Sequence, residues 1–139
     1  MVPENIGRFL KDFSEWASQR PDIQAVALVG SYARGTARPD SDVDLVIICG
    51  APASYLSNQS WAQRFGPIDR EQVEDYGKLS SLRVWYCNGL EVEYGLTDEG
   101  WAALPLDEGT RTVIVGGISL LFERGNILSR HLAARNAGN

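Results

Sequence analysis

Between residues 4 and 20 the apolar side chains Ile6, Phe9, Leu10, Phe13, Trp16 and Ala17 fall on one face of a 3.6-residue repeat, the stripe of an amphipathic helix, and Pro21 predicts its stop. The run DIQAVALVG at 22–30 then reads as a buried strand ending at Gly30. A turn with one helical turn, SYARG, and the loop TARPDS follow, and DVDLVIICG at 42–50 is a second strand rich in β-branched residues. From Ala51 to Tyr76 the periodicity weakens, with a helix expected around Gln59 to Phe65 and a polar loop beyond Pro67.

The strongest hairpin signal is LSSLRVWYC and LEVEYGLT separated by Asn88-Gly89, a pair suited to the positive φ angles of a type I′ turn. A two-residue turn pairs Cys87 with Leu90, Trp85 with Val92 and Arg83 with Tyr94, and places Val84, Tyr86, Glu91 and Glu93 on the opposite face. That register makes Tyr86 a neighbour of the carboxylates. Thr97 is placed to cap a short helix through 98–104, 107–117 reads as helical, 118–124 as a closing strand, and 126–135 as a final helix. No internal repeat, low-complexity tract or linker interrupts the 139 residues, so one domain over 1–139 is expected.

Composition narrows the class. Hydrophobic residues make up 44% of the chain and charged residues 22%, ordinary for a globular protein, and no apolar run approaches the ~20 residues of a membrane span. The opening MVPENIGRFLKDF does not read as a signal peptide, and a cytoplasmic protein is expected. The formal charge of −5 argues against stable binding to a nucleic-acid backbone, which needs clustered Lys and Arg. Cys49 and Cys87 have no CxxC spacing and are expected to be buried free thiols. A single histidine, His131, leaves little material for a histidine-based triad. Trp16, Trp61, Trp85 and Trp101 read as core or partly buried aromatics.

Chemistry concentrates at Gly30 to Ile48. Asp is depleted in strands and adjacent like charges repel, so Asp42 and Asp44 gain nothing structural from lying one residue apart at the mouth of an apolar strand. Strand alternation puts both on one face, while Val43, Leu45 and Ile47 point the other way. If the hairpin lies alongside with its acidic face turned the same way, Glu91 and Glu93 join them. Such a cluster needs neutralising cations, and hard carboxylate oxygens suit Mg²⁺ together with substrate phosphates. The Gly30-Ser31 turn offers backbone N–H groups and a hydroxyl to a polyphosphate, and Arg34 and Arg38 are nearby cations.

The pattern Gly-Ser, ten residues, Asp-x-Asp in GSYARGTARPDSDVD resembles the DNA polymerase β-like nucleotidyltransferase superfamily in its minimal form, and LEVEYGLT resembles the strand that supplies that family's third carboxylate. The resemblance covers residues 23–94. It implies an α/β (α+β) fold with a short mixed sheet and helices packed on one face. It further implies transfer of a nucleoside monophosphate, AMP from ATP by family weighting, with two Mg²⁺ ions and release of pyrophosphate. Position by position, Gly30 and Ser31 hold the triphosphate, with Arg34 as a further nucleotide contact. Asp42 and Asp44 bind metal, and Glu93 completes the site as a ligand or general base, with Glu91 as the alternative. The acceptor is expected to be a small molecule such as an aminoglycoside-like antibiotic, or a protein. The competing expectation is an antitoxin-like partner of a HEPN-type toxin, neutralising it by binding or adenylylation, and a second copy of the chain is the other expected partner.

Overall fold

The computed structural model describes residues 4–38, 41–75, 79–98 and 118–124. Helix α1 spans Glu4–Ser18 and buries all six side chains of the predicted stripe, with Phe13 and Ala17 fully inaccessible. It ends before Pro21, with Gln19 and Arg20 N–H groups bonded back to the carbonyls of Trp16 and Ala17 at 3.1 and 3.0 Å. Strand β1 (Ile23–Val29) leads into the short helix α2 (Gly30–Arg34), and β2 (Val43–Cys49) follows. Helix α3 (Pro52–Ser57) and a 3₁₀ helix (Ser60–Phe65) precede β3 (Ile68–Asp75), β4 (Ser80–Tyr86), β5 (Glu91–Thr97) and β6 (Ser119–Glu123).

The six strands form one mixed sheet in the order β3-β4-β5-β2-β1-β6. Only β2 and β5 run parallel; the other neighbours are antiparallel. One face carries Ile23, Val43, Leu45, Ile47, Leu82, Val84, Val92, Tyr94 and Leu96 against α1, Tyr32 of α2, Tyr55 of α3 and Trp61 of the 3₁₀ helix. Among the described residues the helices thus pack on one face, as the family resemblance implied. The other face holds a smaller apolar cluster, Ala25, Ala27, Val29, Val46 and Ile48, with Leu79, Ile118 and Leu120 against it.

Four expectations need correction. The segment beyond Pro67 is not a loop but β3, an edge strand with mostly exposed residues; Asp69, Arg70, Glu71, Glu74 and Asp75 mask the apolar alternation used to recognise strands. Helix α3 was hidden in the same weak stretch, started by Pro52 in its first turn. The hairpin loop has three residues, Cys87, Asn88 and Gly89, rather than two. Tyr86 N–H donates to Leu90 O at 2.8 Å and Gly89 N–H to Tyr86 O at 3.0 Å, and only Gly89 has positive φ, at 92°. A type I′ turn needs positive φ at both central residues, whereas a type I turn closed by one left-handed glycine does not. Lastly, Cys87 lies on this loop and is exposed, while Cys49 is buried as expected.

The extra loop residue shifts the register by one. Arg83 faces Glu93, Val84 faces Val92, and Trp85 faces Glu91. Val84 and Tyr86 therefore belong to the core, and Arg83 and half-buried Trp85 lie on the carboxylate face. Thr97 is the buried last residue of β5. The helices expected over 98–104, 107–117 and 126–135, with Trp101 and His131, lie outside the described residues apart from Asp98, whereas the closing strand is β6, paired with β1. No helix among the described residues is long and apolar enough to cross a membrane.

Candidate active site

The site lies where β1 ends and β2 begins. Val29 pairs with Asp44 across the antiparallel ladder, and Asp44 pairs with Glu93 across the parallel one. Register thus brings an aspartate and a glutamate, 49 positions apart in the chain, onto adjacent strands and the same face. Asp42 joins from just before β2, where a reciprocal turn positions it: Arg38 N–H donates to Ser41 Oγ at 2.8 Å and Ser41 N–H to Arg38 O at 3.0 Å. One carboxylate oxygen from each of Asp42, Asp44 and Glu93 lies within 4.8 Å of the others. Glu91 is one step outward on the same face and stands outside this group.

Gly30 closes the site from the other side. Its φ is +74°, and a Cβ there would collide with Asp44 Oδ2 and lie 3.1 Å from Asp44 Cγ. The glycine is therefore required twice, by backbone conformation and by the approach of the carboxylate. Ser31 follows in the first turn of α2; its hydroxyl makes no hydrogen bond among the described residues. Gly35, φ 74° and ψ 20°, ends the helix in the left-handed conformation, and Thr36 N–H donates to Ser31 O at 2.9 Å. Arg34, in the last turn of α2, is exposed and forms no ion pair among the described residues, so it is not drawn onto the carboxylates.

Electrostatically the three acids are in conflict. Burial first, then hydrogen bonding and repulsion from Asp42 and Glu93, push the Asp44 carboxyl from the ordinary 3.8 up to about 8. Without a cation, Asp44 therefore holds its proton far more tightly than an ordinary carboxyl does.

The sequence reading missed the group that relieves part of this charge. Arg83, on β4, donates from Nη2 to Glu93 at 3.1 Å, from Nη1 to Glu91 at 2.7 Å and to Asp42 at 3.2 Å, and from Nε to Glu74 at 3.0 Å. These four carboxylates hold its guanidinium firmly charged. Ser81, fully buried two residues earlier on the same face, donates to the other oxygen of Glu93 at 3.0 Å. Glu93 is thus gripped at both oxygens. Arg83 and Ser81 alternate with the core positions Leu82 and Val84, a signal readable in the sequence only once the three-residue loop sets the register.

Three carboxylates with ligand atoms this close form a hard, anionic donor set of the kind divalent magnesium takes, and the raised proton affinity of Asp44 marks the cluster as short of positive charge. The mixed sheet with helices packed on one face is a fold of the polymerase β-like nucleotidyltransferase type. Residues 7–94 match the family described as nucleotidyltransferase domain, and the chain belongs to that family. A search of curated proteins found no match. Among solved structures, an aminoglycoside 6-adenyltransferase from Bacillus subtilis is similar in fold, with TM-score 0.55 and 17% identity, covering 73% of this chain and 37% of that one. A CCA-adding enzyme in apo form (TM-score 0.48, 18% identity) covers 68% of this chain and 21% of its own. A Thermotoga maritima CCA-adding enzyme complexed with tRNA (TM-score 0.49, 17% identity) covers 68% and 22%. The chain therefore spans well under half the length of each of these structures.

Proposed function

We propose that this protein transfers a nucleoside monophosphate, AMP from ATP, to an acceptor hydroxyl in a Mg²⁺-dependent reaction. The observation that carries the reading is the convergence of Asp42, Asp44 and Glu93 within 4.8 Å beside the Gly30 turn. In the reaction the acceptor oxygen bonds to the α-phosphorus, the bond from that phosphorus to the pyrophosphate oxygen breaks, and the hydroxyl proton passes to a carboxylate or to water. Asp42, Asp44 and Glu93 are the residues that would hold the metal. When bound, two such ions supply charge stabilisation for the attacking and leaving oxygens. Ser81 and Arg83 orient Glu93, while the Gly30-Ser31 turn and Arg34 offer donors to the triphosphate. Gly30 keeps the backbone close to Asp44, so nucleotide phosphates and carboxylates share one small space.

The acceptor follows from charge. A net charge of −5, with Glu74 and Glu91 extending the acidic face beyond the triad, favours a polycationic small molecule of aminoglycoside type. A protein acceptor, a HEPN-type toxin among them, is the competing class.

The test is incubation with each α-labelled nucleoside triphosphate, Mg²⁺ and either a panel of polyamine sugars or a cell lysate, beside Asp44→Asn. Label transferred from ATP to a small molecule by wild type and not by the variant supports the reading. Label on a protein band reassigns the acceptor, label from another nucleotide reassigns the donor, and no label from any of the four overturns transfer.

A further inference from the structure

Arg83 reaches the candidate metal ligands without being one. Of its four partners, Asp42 and Glu93 belong to the triad, whereas Glu74 and Glu91 lie outside it. The division is also one of atoms: Nε is committed to Glu74 and Nη2 to Glu93, while Nη1 is shared between Glu91 at 2.7 Å and Asp42 at 3.2 Å. The Arg83 side chain is partly buried, with 22% of it exposed, and its guanidinium is ringed by the four carboxylates, so its charge is only partly screened by water. A divalent cation on Asp42, Asp44 and Glu93 meets this fixed positive charge on two of its three ligands. Carboxylate oxygens shared with a guanidinium are weaker donors, and two cations on one pair of carboxylates repel.

We propose that Arg83 is a built-in counter-ion that competes with the divalent cation for Asp42 and Glu93, with Glu74 and Glu91 as the anchorage it keeps when the cation binds. The inference rests on the metal-site reading above. Its functional meaning is an order of loading. The free ion is held weakly because Arg83 already serves two ligands, and a cation carried in by a nucleotide triphosphate, with phosphate oxygens completing its shell, displaces those contacts. Arg83 is thus a positioning residue that sets metal affinity. Lysine cannot replace it, since an ammonium is a single point donor that cannot fork across four carboxylates.

The experiment is Mn²⁺ binding to the folded chain without nucleotide, read from the free-ion paramagnetic resonance signal, for wild type, Arg83→Gln, Arg83→Lys and Asp44→Asn. Arg83→Gln is expected to bind Mn²⁺ on the order of tenfold tighter than wild type, with Arg83→Lys between them, although general damage to the site predicts weaker binding. Thermal melts add a second readout: Arg83→Gln melts below wild type in chelator, and Mn²⁺ narrows the gap. If Arg83→Gln is unfolded without metal, Arg83→Lys carries the affinity comparison. Unchanged or weaker Mn²⁺ binding in the Arg83 variants, with Asp44→Asn still abolishing it, overturns the counter-ion role alone. Equal binding by wild type and Asp44→Asn, or none by wild type and the Arg83 variants alike at millimolar Mn²⁺, overturns the metal site and the inference with it.

Discussion

Gly30 shows how one residue serves backbone and site together. Both Gly30 and Gly35 have φ of 74°, but only Gly30 has Asp44 where a Cβ would go; nothing lies within 4 Å of the corresponding position at Gly35. Gly35→Ala is expected to cost about 1 kcal/mol in a denaturant melt, the strain of a left-handed alanine. Gly30→Ala should cost clearly more and also lower transfer activity, because Asp44 must move; equal losses in the two variants would show that the contact with Asp44 carries no weight. Asp44 itself makes the metal-free protein sensitive to pH. Its folded carboxyl titrates at about 8 against the ordinary 3.8, so in this window the folded state binds more protons than the unfolded one. The stability this group contributes is complete below about pH 4 and is lost as pH rises through 8. In chelator, the part of the melting curve due to Asp44 should fall with rising pH across that range, and Asp44→Asn should flatten it; saturating Mg²⁺ should remove the fall by taking the place of the proton.

At the scale of elements, register separates Glu91 from Glu93. Glu93 sits opposite Asp44 on the parallel strand and is held by Ser81 and Arg83, whereas Glu91 lies opposite Trp85 and serves Arg83. Glu93→Gln is therefore expected to lower the transfer rate by roughly 10² or more, the scale associated with losing a group that stabilises charge in the transition state. Glu91→Gln should lower it by less than about tenfold, and single-turnover rates with labelled nucleotide check the order. A larger loss for Glu91 would reassign the third ligand. Alternation along β2 placed Asp42 and Asp44 on one face and Val43, Leu45 and Ile47 on the other, which the structure bears out because a buried strand has no freedom to rotate its pattern. The hairpin was harder to read. Asn88-Gly89 fits either a two-residue or a three-residue loop, and the choice moves every side chain of one strand to the other face. Arg83 was thereby assigned to the core face and Tyr86 to the acids, the reverse of what is found.

Across the whole molecule, an aromatic layer joins the helices to the back of the site. Phe9, Phe13 and Trp61 pack against Tyr94, the residue beside Glu93, with Trp61 and Tyr94 ring centroids 4.8 Å apart, and Phe65 and Trp16 pack in turn on Phe13 and Trp61. Tyr86 ties the layers by hydrogen bonds, donating to Ala62 O of the 3₁₀ helix at 2.8 Å and lying 2.7 Å from the Tyr94 hydroxyl. Since Tyr86 spends its proton on Ala62, Tyr94 is the donor between the two rings. Tyr86→Phe then leaves both Ala62 O and the Tyr94 hydroxyl without that partner and should cost about 1–3 kcal/mol. Tyr94→Phe leaves Tyr86 bonded to Ala62 and should cost less. Chemical denaturation of the two variants checks this order, and the reverse order would mean the protons run the other way.

The sequence by itself determined the helix α1 stripe, strands β1 and β2, the hairpin's existence and the spacing of Gly30, Ser31, Asp42 and Asp44, because each is a local periodicity or a short-range motif that survives without knowledge of neighbours. Tertiary structure alone decided the parallel pairing of β2 with β5 that sets Asp44 opposite Glu93, the membership of β3 in the sheet, and the place of Arg83 among four carboxylates. Those features depend on contacts between residues far apart in the chain and on the count of residues in one loop. A change of one residue there costs little locally but reverses which face each side chain of the strand presents.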